Sequence, residues 1–132
     1  MSTPPRFETY EDFFPYYVAM HRRRATRVLH AVGTLSGLLL AVDGLVRRRS
    51  AKALAWLPGL GYGFAWPSHF LVERNNPATF GYPAWSFRGD VAMISAMLRG
   101  RDAELGELAE RWFATQDDGA AAHRETAPSL AP

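Results

Sequence analysis

Two apolar stretches, residues 28–46 and 53–72, stand on either side of a short basic connection, Arg-Arg-Arg-Ser-Ala-Lys at 47–52. Each is about as long as a helix must be to cross a bilayer, roughly 20 residues. The connection leaves room only for a tight reversal, so the pair predicts an apolar helical hairpin. His30, Asp43 and small polar residues break the first stretch, and His69 is the one ionisable group in the second. A buried hairpin of a soluble bundle is the competing reading, because Asp43, Pro58, Pro67 and many glycines lower the apolar character. The expected fold class is therefore all-α, a small helical bundle built on this hairpin and associated with a membrane. The expected location is a membrane, read as a bacterial inner membrane.

Within the first stretch His30, Gly33, Gly37, Ala41 and Gly44 fall on one stripe. Small residues so placed let two helices approach closely, and Gly59 and Gly63 repeat the pattern in the second stretch. The stripe turns His30 toward the helix interface, where an ionisable group is costly and so points to function. Mean hydropathy over all 132 residues is only −0.17, which confines any membrane contact to this part of the chain.

The flanking segments read as helices and turns. Residues 1–9 form a flexible leader, 10–116 the folded domain and 117–132 a disordered tail whose Ala- and Pro-rich composition sets in at Gly119. Tyr10, Phe13, Phe14, Tyr17, Val18 and His21 follow helical spacing, with Asp12 as N-cap, and Arg22–Arg24 interrupt the pattern before Thr26 caps the next helix. Residues 75–89, rich in turn formers and aromatics, read as one long functional loop. Asp90 then caps a short helix over 91–98. Leu105, Leu108, Ala109, Trp112 and Phe113 make an apolar stripe opposite Glu104, Glu107 and Glu110, as in a helix lying on a surface.

Composition excludes several function classes. The chain has no cysteine, so thiolate catalysis and zinc–thiolate sites are ruled out. A formal net charge of +2 and the lack of a recognition-helix or RNA-binding pattern argue against nucleic acid. The Arg runs at 22–24 and 47–49 flank the first apolar stretch, as expected of residues at lipid headgroup level, and with both ends basic no orientation follows.

Of the four histidines, His123 falls in the tail, and His21, His30 and His69 each stand in or at the end of an apolar segment. A chain reversal at residues 22–26 would fold His21 back on His30. An antiparallel hairpin would return His69, with Glu73 one turn further on, to the same end. Three imidazoles and a carboxylate without thiolate suit iron, manganese, zinc or copper. The competing reading is a non-enzymatic helical membrane protein whose histidines hydrogen-bond across helices.

Tyr17 with His21, His30 with Gly33, and then AWPSHFLVERNNPATF and PAWSFRGD resemble the DUF962, or Mpo1-like, family over about residues 10–100, most specifically over 69–90. Its eukaryotic members are described as iron(II)-dependent 2-hydroxy fatty acid dioxygenases that shorten an acyl chain by one carbon. The resemblance implies Fe(II) as cofactor, with a lipid or fatty-acid substrate, molecular oxygen and a membrane as partners. It matches the family's histidine motifs to His21, His30 and His69 as metal ligands, and the glutamate after the third to Glu73. Glu73 is then expected to orient a histidine, to act as a base or to serve as an alternative ligand, and Arg74 or Arg88 to meet the substrate carboxylate. Trp66, Phe70, Phe80 and Trp85 are expected to line an acyl slot.

Overall fold

The computed structural model describes residues 5–126, with side chains as far as Gly119. The described chain is all-α, with five helices and no strand. Helix α1 spans Tyr10–Ala19, α2 Arg24–Arg48, α3 Trp56–Pro67, α4 Pro83–Leu98 and α5 Asp102–Thr126.

Helix α2 starts four residues before the apolar stretch it carries. Thr26 is buried in its first turn, and Arg23 occupies the N-cap position without a side-chain cap. Its partner α3 is not the continuous second span expected over 53–72. The segment is a 3₁₀ turn at Ala51–Ala55, then α3, then a π turn at Ser68–Glu73. Proline explains both breaks. Pro58 and Pro67 have no N–H to extend an α ladder through the turn before them, and the chain changes pitch at each. Only α2 among the described residues is long and apolar enough to cross a membrane.

The two helices meet along the predicted stripe. His30, Gly33, Gly37, Ala41 and Gly44 are all buried. A Cβ on Gly33 would lie 2.7 Å from the Leu60 carbonyl oxygen, and one on Gly37 2.6 Å from that of Trp56, so backbone meets backbone here. Gly59 and Gly63 do not take part as expected: a Cβ on either meets nothing within 4 Å. Contact on the α3 side is made by main chain, which any residue supplies.

The other three helices enclose a different kind of core. Phe13, Tyr16, Tyr17 and Val18 of α1 pack with Met93 of α4 and Leu105 and Ala109 of α5. Tyr82 and Trp85 stack at 5.2 Å, and Tyr16 meets Trp112 at 5.6 Å. The expected α5 stripe is the face that covers α1. Thr9, not Asp12, caps α1: its Oγ accepts from the Asp12 amide, and Asp12 Oδ2 accepts the Thr9 hydroxyl in return. The expected leader is partly tied down, since the Phe7 amide donates to Tyr82 Oη and the Phe7 ring packs on Phe13. Residues 1–4 and 127–132 lie outside the described residues, and α5 continues through Gly119 to Thr126.

Candidate metal centre

His21, His30 and His69 come together where the two regions join. Their rings are 4.4 Å (21–30), 4.6 Å (21–69) and 5.1 Å (30–69) apart, and one nitrogen of each lies within 4.8 Å of the others. Each residue is at most 4% exposed. His21 follows the end of α1, His30 sits in the second turn of α2, and His69 lies in the π turn, so three separate elements supply the set.

The reversal between α1 and α2 that this requires is held by one buried cation. Arg27 Nη1 donates to the carbonyls of His21 and Arg22, while its Nε and Nη2 donate to the two oxygens of Asp102 at the start of α5. The basic run thus serves the fold in part: Arg22 pairs with Glu110 and Arg24 with Asp102. The Arg27 guanidinium beside Asp102 holds that carboxyl below its ordinary range.

The ring nitrogens carry the clearest information. His21 Nδ1–H donates to the Tyr17 carbonyl at 2.6 Å, His30 Nδ1–H to Asp90 Oδ1 at 2.7 Å, and His69 Nδ1–H to Asn75 Oδ1 at 2.8 Å. A carbonyl can only accept, which fixes the tautomer of His21. Asn75 is oriented in turn, because its Nδ2 donates to the Met20 carbonyl at 2.9 Å and leaves Oδ1 for the histidine. Every Nδ1 is thus occupied, and the lone pair left on each ring is at Nε2. His21 Nε2 and His30 Nε2 are buried without any hydrogen-bond partner. Burial, with His30 as a like-charged neighbour, lowers the His21 pKa well below the usual histidine value, and the same causes bring His69 down to about 4. Imidazoles with free Nε2 atoms, each braced through Nδ1 by a carbonyl or carboxylate, are the arrangement metal-ligating histidines adopt.

A family model described as "2-hydroxy-palmitic acid dioxygenase Mpo1-like" matches residues 7–102. The chain belongs to the Mpo1-like family. No curated protein and no solved structure matches it. The family match runs from Phe7 to the first residue of α5 and so contains all three histidines and all three of their Nδ1 partners.

Glu73 does not join the histidines. Its Oε1 accepts from the Arg23 amide at 2.6 Å and thereby caps α2, which has no side-chain cap of its own. Arg74 is an exposed left-handed residue, φ 60°, that ends the π turn. Arg88 lies 3.7 Å over the Tyr10 ring, near Glu11 and at the opposite end of α1 from His21. The aromatic residues expected to line one slot are dispersed: Trp66 meets Phe80, and Trp85 packs on Phe13.

Sequence reasoning missed Asp90 and Asn75. Residues 75–89 are not one loop, because α4 already begins at Pro83, a residue suited to the first helical position. Asp90 therefore lies inside a helix, where it accepts both His30 Nδ1–H and, at 2.5 Å, the Tyr17 hydroxyl. Gly89 lets the two helices come this close: a Cβ there would stand 2.8 Å from the Tyr17 ring. Tyr17 is buried, and desolvation and then Asp90 push its pKa well up, so it stays a donor. The available signal was the acidic residue directly after a glycine in an apolar helical pattern.

Proposed function

We propose that this protein is an iron(II)-dependent dioxygenase that shortens 2-hydroxy fatty acids by one carbon at a membrane. The observation that carries the reading is the triad of buried imidazoles, with every Nδ1 braced and two Nε2 atoms left without a partner. The residues fit a metal ion: His21, His30 and His69 would hold it through Nε2. The family description supplies the reaction class, and a dioxygenase reaction favours a redox-active ion over zinc, which has no redox chemistry. Bound there, iron(II) would supply the redox chemistry and coordination positions for a 2-hydroxy acid and dioxygen.

The chain's own contribution is orientation and neutrality. Asp90, Asn75 and the Tyr17 carbonyl hold the rings, and burial keeps His21 and His69 uncharged at neutral pH, so that their lone pairs are free. Tyr17 Oη, by donating to Asp90, fixes the carboxylate that braces His30. These groups act as positioning residues.

The membrane part of the reading rests on the outer face of the hairpin. Leu39 and Val46 of α2 are each 71% exposed, and Trp56, Tyr62, Phe64 and Trp66 of α3 are exposed too. Only 28% of the most apolar window of α2 is buried, whereas a soluble core helix would be mostly covered. So large an apolar face needs a partner, and a bilayer supplies one.

The test is elemental analysis of protein prepared anaerobically with iron(II), beside His69→Ala. Near-stoichiometric iron in the parent, little in the variant and unchanged helix content are expected, followed by oxygen uptake on adding 2-hydroxyhexadecanoic acid. Absence of metal from both would make the triad a scaffold and leave the family match to speak for the fold.

A further inference from the structure

The basic connection at the tip of the hairpin, residues 47–52, has no part in the histidine centre. Arg48 lies about 27 Å from His30 along α2, at 1.5 Å for each residue between them. The two Arg runs that flank the first apolar stretch are also not equivalent. At the histidine end Arg22 and Arg24 are taken up by Glu110 and Asp102. At the tip Arg47 Nε pairs with Asp43 at 2.8 Å, and Asp43 is the only acidic residue between positions 28 and 72. Arg48, Arg49 and Lys52 have no acidic partner among the described residues, and all three are exposed. The helix dipole accounts for a cation or two in the last turn of α2, but Arg49 lies past that turn and Lys52 in the 3₁₀ turn beyond it. Arg49 also takes the left-handed backbone, φ 49°, that glycine ordinarily fills at a helix end.

These charges border a cavity of about 280 Å³ between the end of α2 and the 3₁₀ turn. Arg48, Ser50 and Lys52 bring it N–H and O–H donors, and Asp43 lines it with its charge met by Arg47. Leu40 and Trp56 complete the wall and are 43% and 49% exposed, so the cavity adjoins the apolar outer face of the hairpin. Its volume lies just below the roughly 300–1,000 Å³ of small-molecule sites, room for one head group and not for acyl chains. Two cations and a hydroxyl suit a group with several anionic oxygens. A free phosphate ion would leave Leu40 and Trp56 uncovered, whereas a lipid phosphate brings chains to cover them. Tryptophan beside basic residues is also the pairing found where hydrocarbon gives way to head groups.

We propose that the hairpin tip binds the phosphate of an anionic phospholipid through Arg48, Ser50 and Lys52, with the acyl chains running along the outer face past Leu40 and Trp56. This site rests on the membrane part of the proposed function and is independent of iron.

The experiment is native mass spectrometry of the full chain released from detergent micelles, titrated with palmitoyl-oleoyl phosphatidylglycerol or with phosphatidylcholine of the same chains. The first phosphatidylglycerol should bind roughly 25-fold more tightly, two basic residues at about fivefold each. Arg48→Gln and Lys52→Gln should each remove about fivefold, and the double variant should bind both lipids alike, with helix content unchanged. Asp43→Asn should tighten phosphatidylglycerol by removing the one negative charge in the wall, an effect that a purely structural role for the tip would not give. Arg22→Gln, before the start of α2, should change nothing. Equal affinity of the parent for the two lipids overturns the proposal, as does displacement by inorganic phosphate or hexadecanoate at the concentration of the lipid. Incorporation into phosphatidylcholine nanodiscs separates the two readings. Protein that stays out of the bilayer ends the membrane reading and this site with it, whereas protein that enters it but does not prefer phosphatidylglycerol ends this site alone.

Discussion

Helices α1, α4 and α5 turn their rings inward, and the α2–α3 hairpin turns its large residues outward. In the first region Phe13, Tyr17 and Met93 are at most 2% exposed, and interlocking aromatic volume holds the helices together. In the hairpin the contact is backbone on backbone through Gly33 and Gly37, while Leu39 and Val46 face away. Water accounts for the first pattern, since burying rings is what the hydrophobic effect rewards. The second is how helices pack when the surroundings are themselves apolar and only close approach is gained. The histidines stand at the seam between these two modes of packing, each region supplying part of the set.

Substitutions can break this contrast. Phe13→Ala should have the largest effect, about 3–5 kcal/mol from a buried ring lost to a cavity, read as a large drop in unfolding midpoint. If the hairpin alone held the fold, that loss would be small. Arg27→Ala should cost about 2 kcal/mol, because several charge-assisted hydrogen bonds go and Asp102 loses its main partner. Because Arg27 holds the His21 reversal, iron content should fall with stability, and a variant that lost stability but kept iron would refute the link.

Asp90→Asn should leave helix content near the parent's and lower metal affinity about 10–100-fold, the usual cost of removing a ligand's hydrogen-bonding partner. Acidification probes the same seam in metal-free protein. The folded-state pKa values of His21 and His69 lie below the unfolded value of about 6.5. The unfolded chain therefore binds protons first as pH falls. Stability from the neutral rings is fully present above about pH 6.5 and is lost on descent toward about 4 for His69, at no more than about 1.4 kcal/mol per pH unit for each histidine. Urea midpoints between pH 7.5 and 5 would show it, and a flat profile would contradict the burial of the triad. Leu39→Ala should be the smallest, within about 0.5 kcal/mol, yet it should reduce recovery of protein with membranes. A large loss of stability would mean that protein covers that face.

Much of this was legible from residue spacing. The stripe from His30 to Gly44 gave the α2–α3 contact, the α5 pattern gave the cover over α1, and connectivity alone brought His21, His30 and His69 to one end. What failed were inferences in which one residue type has two uses. Pro58 and Pro67 counted only against apolar character and Pro83 fell within an expected loop, whereas Pro83 begins a helix and the other two change the pitch of the second apolar stretch. Gly89 looked like a loop residue, although its role is to admit the Tyr17 ring. That error hid Asp90, which then looked like a cap. Glu73, one turn after His69, looked like part of the centre, but the π turn and the left-handed Arg74 carry it to the Arg23 amide instead. Such choices are set by contacts far along the chain, which local spacing does not encode.

The sealing of two Nε2 atoms from solvent has a kinetic consequence. To take an ion from both, a chelator or a competing ion would need α1 to part from α2 or the π turn to open. Release would then be slowed by that breathing. Arg27 and Asn75, which tie the His21 reversal and the π turn to their neighbours, would act as the latches, and loosening either should let an ion already in place leave sooner without changing the atoms that hold it.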